Sequence, residues 1–135
     1  MTFAAVNLKL VGASLIALAV LHCFFPRRFN WRHELADITL LTRQMFYVHT
    51  FFIALTVALM GLLALLYSND LLSGSRLARA VSTGLALFWG ARLMFQWFVY
   101  DPTLWRGHRF NTIIHVVFTM LWAWYTATFS YAALM

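Results

Sequence analysis

Four apolar runs, each close to the length that crosses a lipid bilayer, take up most of this chain and leave it few folds to choose from. They cover approximately residues 8–25, 45–67, 77–100 and 112–134. A helix of about 20 residues spans roughly 30 Å of hydrocarbon. Charged residues make up only 10% of the chain, whereas soluble domains carry about a quarter. The mean hydropathy of +0.76 agrees with a lipid environment. The expected fold is therefore an all-α integral membrane protein, one transmembrane domain over residues 1–135. Short connections make neighbouring helices antiparallel, which gives a four-helix up-down-up-down bundle.

The first run carries Lys9 before its apolar stretch, and Ala17-Leu18-Ala19 resembles a leader cleavage site. It is read here as a span of the mature protein. The first connection, residues 26–44, is the longest. Its stretch Glu34–Arg43 is amphipathic enough for a helix lying in the membrane interface, with Phe29 and Trp31 as anchors. Trp105 would anchor the third connection, and Pro102 biases Asp101 away from helix and ends the third span.

The net charge of +6 does not imply nucleic-acid binding, because its placement has a simpler reading. Arg27, Arg28, Arg32, Arg43, Arg106 and Arg109 flank the first and third connections, with Lys9, Arg76 and Arg79 on the other face. Such a bias sets topology and draws anionic lipid headgroups. It predicts a multi-pass protein of a bacterial-type inner membrane, with loops 26–44 and 101–111 cytoplasmic and both termini outside. The single cysteine, Cys23, excludes a disulfide or a paired-cysteine metal site within one chain.

Within this frame the polar residues are few and informative. His22, His49, Gln96 and His115 each lie about one turn inside a span, at the ends that meet the first and third connections. An antiparallel bundle puts them at one depth. Intramembrane imidazoles are costly and mark functional sites. The pattern Arg43-x5-His49-x2-Phe52 recurs as Arg109-x5-His115-x2-Phe118. A duplication of the hairpin would set His49 and His115 diagonally across the core.

Two facing histidines suit a six-coordinate haem b, with Phe52, Phe88, Trp89, Phe118 and Trp122 as walls and Arg92, Arg43 or Arg109 for the propionates. The expected cofactor-binding residues are His49, His115, Arg92, Gln96 and Trp122. Electron transfer with a quinone or another redox partner is the chemistry that follows. A transition-metal site (Zn, Cu or Fe) at His22, His49 and His115 is the other ligation scheme. The same residues also admit other classes: a proton or anion pathway in a small transporter, or an accessory subunit of a homo-oligomer or larger complex whose histidines form a hydrogen-bond network.

Arg92 is the costliest residue, about two turns inside the third run, with Gln96 one turn further on the same side. It needs an acidic loop residue, a bound anion or a route to the surface. Asn111, His115, Thr119, Trp122 and Thr126 form an inward stripe on the fourth run. Ser82, Ala86 and Gly90 form a small-residue ladder on the third, which permits close helix contact. The motifs C-x-x-C-H, H-E-x-x-H, G-x-x-x-G and the P-loop are all absent.

Overall fold

The structure, a computed structural model, describes residues 2–135. Helix accounts for 83% of it and no strand occurs among the described residues. The long helices are α1 (Phe3–His22), α4 (Leu40–Leu66), α6 (Arg76–Phe98) and α7 (Arg109–Leu134). One-turn helices α2 (Phe25–Arg28), α3 (Trp31–Glu34) and α5 (Ser68–Leu71) lie in the connections, as does a 3₁₀ turn, Pro102–Leu104.

Three of the long helices, α1, α4 and α7, are both long and apolar enough to cross a membrane. Helix α6 is 23 residues long, roughly 34 Å, yet it is not among them. Arg76, Arg79, Arg92, Gln96, Ser82 and Thr83 dilute its apolar content.

Helices α1, α4 and α7 start a few residues earlier than the apolar runs and α6 one residue earlier; cap chemistry rather than hydropathy sets the starts of α4 and α6. Thr39 opens α4 by accepting a hydrogen bond from Thr42 N at 3.3 Å, and Ser75 opens α6 by accepting one from Ala78 N at 3.1 Å. The Thr39 cap also corrects the expected interfacial helix over residues 34–43. Helix α3 ends at Glu34, Leu35–Thr39 is non-helical, and residues 40–43 belong to α4. Two one-turn helices joined at Asn30, in the left-handed region with φ 48°, take its place. Asparagine adopts that conformation more readily than most residues.

The chain forms two compact units. Leu8–Ser68 contains most of α1 and all of α4. These two helices meet at facing glycines: a Cβ on Gly12 would lie 2.7 Å from Gly61 O and 2.7 Å from Leu65 N. A Cβ on Gly61 would lie 2.9 Å from Gly12 O and 2.9 Å from Ile16 Cγ1. Advancing along α1 from Gly12 to Ile16 runs back along α4 from Leu65 to Gly61, so the pair is antiparallel.

The other unit joins the chain up to Asn7 with Asn69–Met135. Its body is the antiparallel α6–α7 hairpin, paired from Arg79 with Met135 at one end to Gln96 with His115 at the other. Ala78, Ser82, Leu85, Trp89 and Gln96 form the buried face of α6. Trp122, Tyr125, Phe129 and Ala132 form that of α7. The Ser82-Ala86-Gly90 ladder is not the tight contact that its composition allows. Ser82 is buried, but a Cβ on Gly90 would meet only Thr126 Cγ2, at 3.6 Å. Ala86 and Gly90 instead line an open groove of about 510 Å³ with Thr126 and Ser130. The backbones that approach closely enough to need glycine are those of α1 and α4.

Candidate functional site

The densest polar arrangement in the α6–α7 unit is built on Gln96, a buried amide one turn along α6 from Arg92. Arg92 Nη1 donates to Gln96 Oε1 at 3.2 Å. Trp122 Nε1, from α7, donates to the same oxygen at 3.4 Å. The Gln96 amide nitrogen lies 2.9 Å from Nδ1 of His115.

These partners fix the direction of every bond. Guanidinium and indole nitrogens only donate, so the amide oxygen must face them and the amide NH₂ must face the imidazole. Nδ1 of His115 therefore accepts, and the proton of the neutral ring sits on Nε2. The hydrogen-bonding groups that the cluster leaves unused are thus donors: the remaining guanidinium N–H groups of Arg92 and Nε2–H of His115.

Aromatic rings frame these groups. The Arg92 guanidinium carbon lies 5.0 Å from the Trp122 ring centroid and 5.5 Å from that of Tyr100, within cation–π range. Trp122 stacks on Trp89 at 5.1 Å and on Phe118 at 5.4 Å. The Trp105 indole lies on the His115 ring, 3.9 Å between centroids and 11° from parallel.

The loop that delivers Trp105 is pinned to the start of α7. Asn111 Nδ2 donates to Leu104 O at 2.9 Å, and Thr112 Oγ1 to Trp105 O at 2.7 Å. At the other end of the loop, Asp101 Oδ1 accepts from Thr103 N at 2.8 Å. Hydrogen bonds from the Thr103 backbone, and then from its side chain, hold the Asp101 carboxyl below its ordinary range.

Arg92 has no carboxylate partner among the described residues; its one hydrogen bond goes to the neutral Gln96 amide. No group of three or more histidine, cysteine or acidic side chains is arranged to hold a metal ion among the described residues. Comparison with protein-family models, curated proteins and solved structures gives no match.

Arg92, Gln96, His115 and Trp122 thus meet in one cluster. The other expected site residues, His22 and His49, belong to the α1–α4 unit. His22 turns its Nδ1 to its own helix, 2.8 Å from Leu18 O, and its ring lies 4.6 Å from that of Phe25. His49 is exposed and makes no hydrogen bond or ring contact among the described residues.

Metal ligation through Nε2 of His115 would require that proton to move to Nδ1, where it would confront the Gln96 amide donor. The amide would then have to turn over, and Arg92 and Trp122 would lose their acceptor.

Sequence reasoning read Trp105 as an interfacial anchor and left both it and Tyr100 out of the site. Tyr100 could have been found, since Arg92, Gln96 and Tyr100 recur at four-residue spacing. Trp105 carries no such signal, because its position depends on how the loop folds. The other inward polar residues of α7 are satisfied locally: Thr119 Oγ1 donates to His115 O at 2.8 Å and Thr126 Oγ1 to Trp122 O at 2.7 Å.

Proposed function

We propose that this chain is a four-span membrane protein that binds an anionic group at Arg92, with His115 and the surrounding aromatic rings completing the site. The observation that carries this reading is the unneutralised guanidinium of Arg92, bonded only to a neutral amide within an apolar helix hairpin. An uncompensated charge at membrane depth is costly, and a carboxylate or phosphate would remove that cost while accepting from N–H donors of the cluster. A bound anion also gives α6 a reason to cross despite its low hydropathy. Arg76 and Arg79 lie at the start of α6, where long side chains can reach the headgroups. With α6 counted, the four long helices make an up-down-up-down bundle. The arginine bias assigns the first and third connections to the cytoplasmic face of a bacterial-type inner membrane.

Haem fits the same reading in one form: a propionate accepting from both Arg92 and Trp122 would replace the Gln96 oxygen, leaving Gln96 able to turn over and His115 able to become an iron ligand. Quinone-linked electron transfer would then follow.

The test uses the detergent-purified protein and the variants Arg92→Gln and Arg92→Lys, with helicity checked by circular dichroism. Tryptophan fluorescence is titrated with inorganic phosphate and acetate, co-purifying anionic species are sought by native mass spectrometry, and absorption spectra are recorded before and after dithionite. A saturable response or a retained anion in the wild type, lost in Arg92→Gln and kept in part by Arg92→Lys, supports the proposal. A Soret band that shifts on reduction and disappears in the Arg92→Gln and His115→Ala variants identifies the anion as haem propionate. A wild type with no retained anion and no response, or an Arg92→Gln protein that behaves identically, overturns it.

A further inference from the structure

The segment between α1 and α4 has a surface of its own, remote in sequence from the Arg92 cluster. Helices α1 and α4 are antiparallel and both are apolar enough to cross a bilayer, so residues 23–39 join the end of α1 to the start of α4 on one side, which is the headgroup level if both helices span. The segment is folded there by aromatic contacts. Trp31 stands edge-on to Phe46 and Tyr47 of α4, at 4.6 and 5.6 Å. Phe25 bridges the rings of His22 and Phe29, at 4.6 and 5.6 Å.

This arrangement leaves Arg27, Arg28 and Arg32 exposed. They lie among Phe24 and Phe29, residues that are 54% and 53% exposed. Arg28 lies over the Phe29 ring at 5.8 Å. None of the three arginines is paired with Glu34 or Asp37, the acidic residues of the segment. Three unpaired guanidinium groups, set among exposed phenylalanines and fixed at the end of two spans, match a layer that is apolar on one side and anionic on the other.

We propose that this connector is a docking surface for anionic phospholipid headgroups. The rings of Phe24 and Phe29 enter the acyl boundary, and Arg27, Arg28 and Arg32 hold the phosphates, each as a fork that a lysine reproduces only in charge. Attraction to a lipid surface needs both contributions and weakens with ionic strength.

The experiment is native mass spectrometry of the full chain in detergent containing equal amounts of phosphatidylglycerol and phosphatidylcholine, at low and high salt. Detergent removes membrane topology from the comparison. The wild type is expected to retain phosphatidylglycerol over phosphatidylcholine on the order of tenfold or more, with the preference shrinking at high salt. The variant R27Q/R28Q/R32Q loses the preference, R27K/R28K/R32K keeps part of it, and R92Q keeps it in full, which separates this surface from the Arg92 site. Equal retention of both lipids by the wild type, or an undiminished preference in R27Q/R28Q/R32Q, overturns the proposal. A preference abolished by R92Q alone also overturns it, and assigns the headgroup to Arg92.

Discussion

Replacing the Gln96 amide by a carboxylate would keep an acceptor for Arg92 and Trp122 while removing the donor that faces His115. With Gln96→Glu, Nδ1 of His115 can hold its contact only by carrying a proton. Nitrogen-15 spectra of ring-labelled histidine are the measurement. The wild type should show an unprotonated Nδ1 at His115 and the variant a protonated one; identical spectra would refute the donor assignment. The spacing that joins Arg92 to Gln96 is legible in the sequence, since four residues always share a helix face. The environment of His115 is not, because Trp105 reaches it only through the backbone oxygens of Leu104 and Trp105 that Asn111 and Thr112 engage. Helical periodicity says nothing about such loop contacts.

Among the helices, two glycines of similar appearance in the sequence should respond oppositely to alanine. On Gly12 the new Cβ would press on the backbone of α4, at 2.7 Å from both Gly61 O and Leu65 N. On Gly84 it would meet nothing within 4 Å. Gly12→Ala should therefore destabilise the fold by about 1–3 kcal/mol, the usual consequence of overpacking. Gly84→Ala should be neutral or stabilise α6 by up to about 1 kcal/mol through helix propensity. Thermal unfolding in detergent compares them, and equal shifts would contradict the close crossing. The existence of all four long helices can be read from apolar length alone. Their junctions cannot: the connector breaks after Glu34 because Thr39 caps α4, and the α1–α4 crossing depends on a pairing between distant glycines.

For the whole molecule, a four-span arrangement predicts where the connections lie. Cys23 is exposed and starts the first connection. In a Cys23→Ser background, Thr103→Cys should react with a membrane-impermeant maleimide from the same side of sealed vesicles as Cys23 does in the wild type. Ser73→Cys should react only from the opposite side. If Ser73→Cys and Thr103→Cys label from one side, α6 does not cross and the bundle reading fails. Hydropathy does not decide this, because Arg92 and Gln96, which lower the apolar content of α6, are also the groups proposed to be satisfied inside the protein, while Arg76 and Arg79 lie at its start within reach of the headgroups.

The start of the chain is held by its end. Asn7 Nδ2 donates to Thr128 Oγ1 at 2.9 Å, and Asn7 Oδ1 accepts from Trp124 Nε1 at 3.0 Å, across 121 and 117 residues. During synthesis the asparagine emerges more than 100 residues before its partners, so its amide must stay hydrated or find temporary partners until α7 follows. The glycine contacts of the α1–α4 crossing lie between Gly12 and Leu65 in the chain and can form long before then. Biogenesis therefore has a natural order, with an early hairpin and a late latch. A chain stalled before α7 would lack that latch, a feature that membrane quality control could recognise.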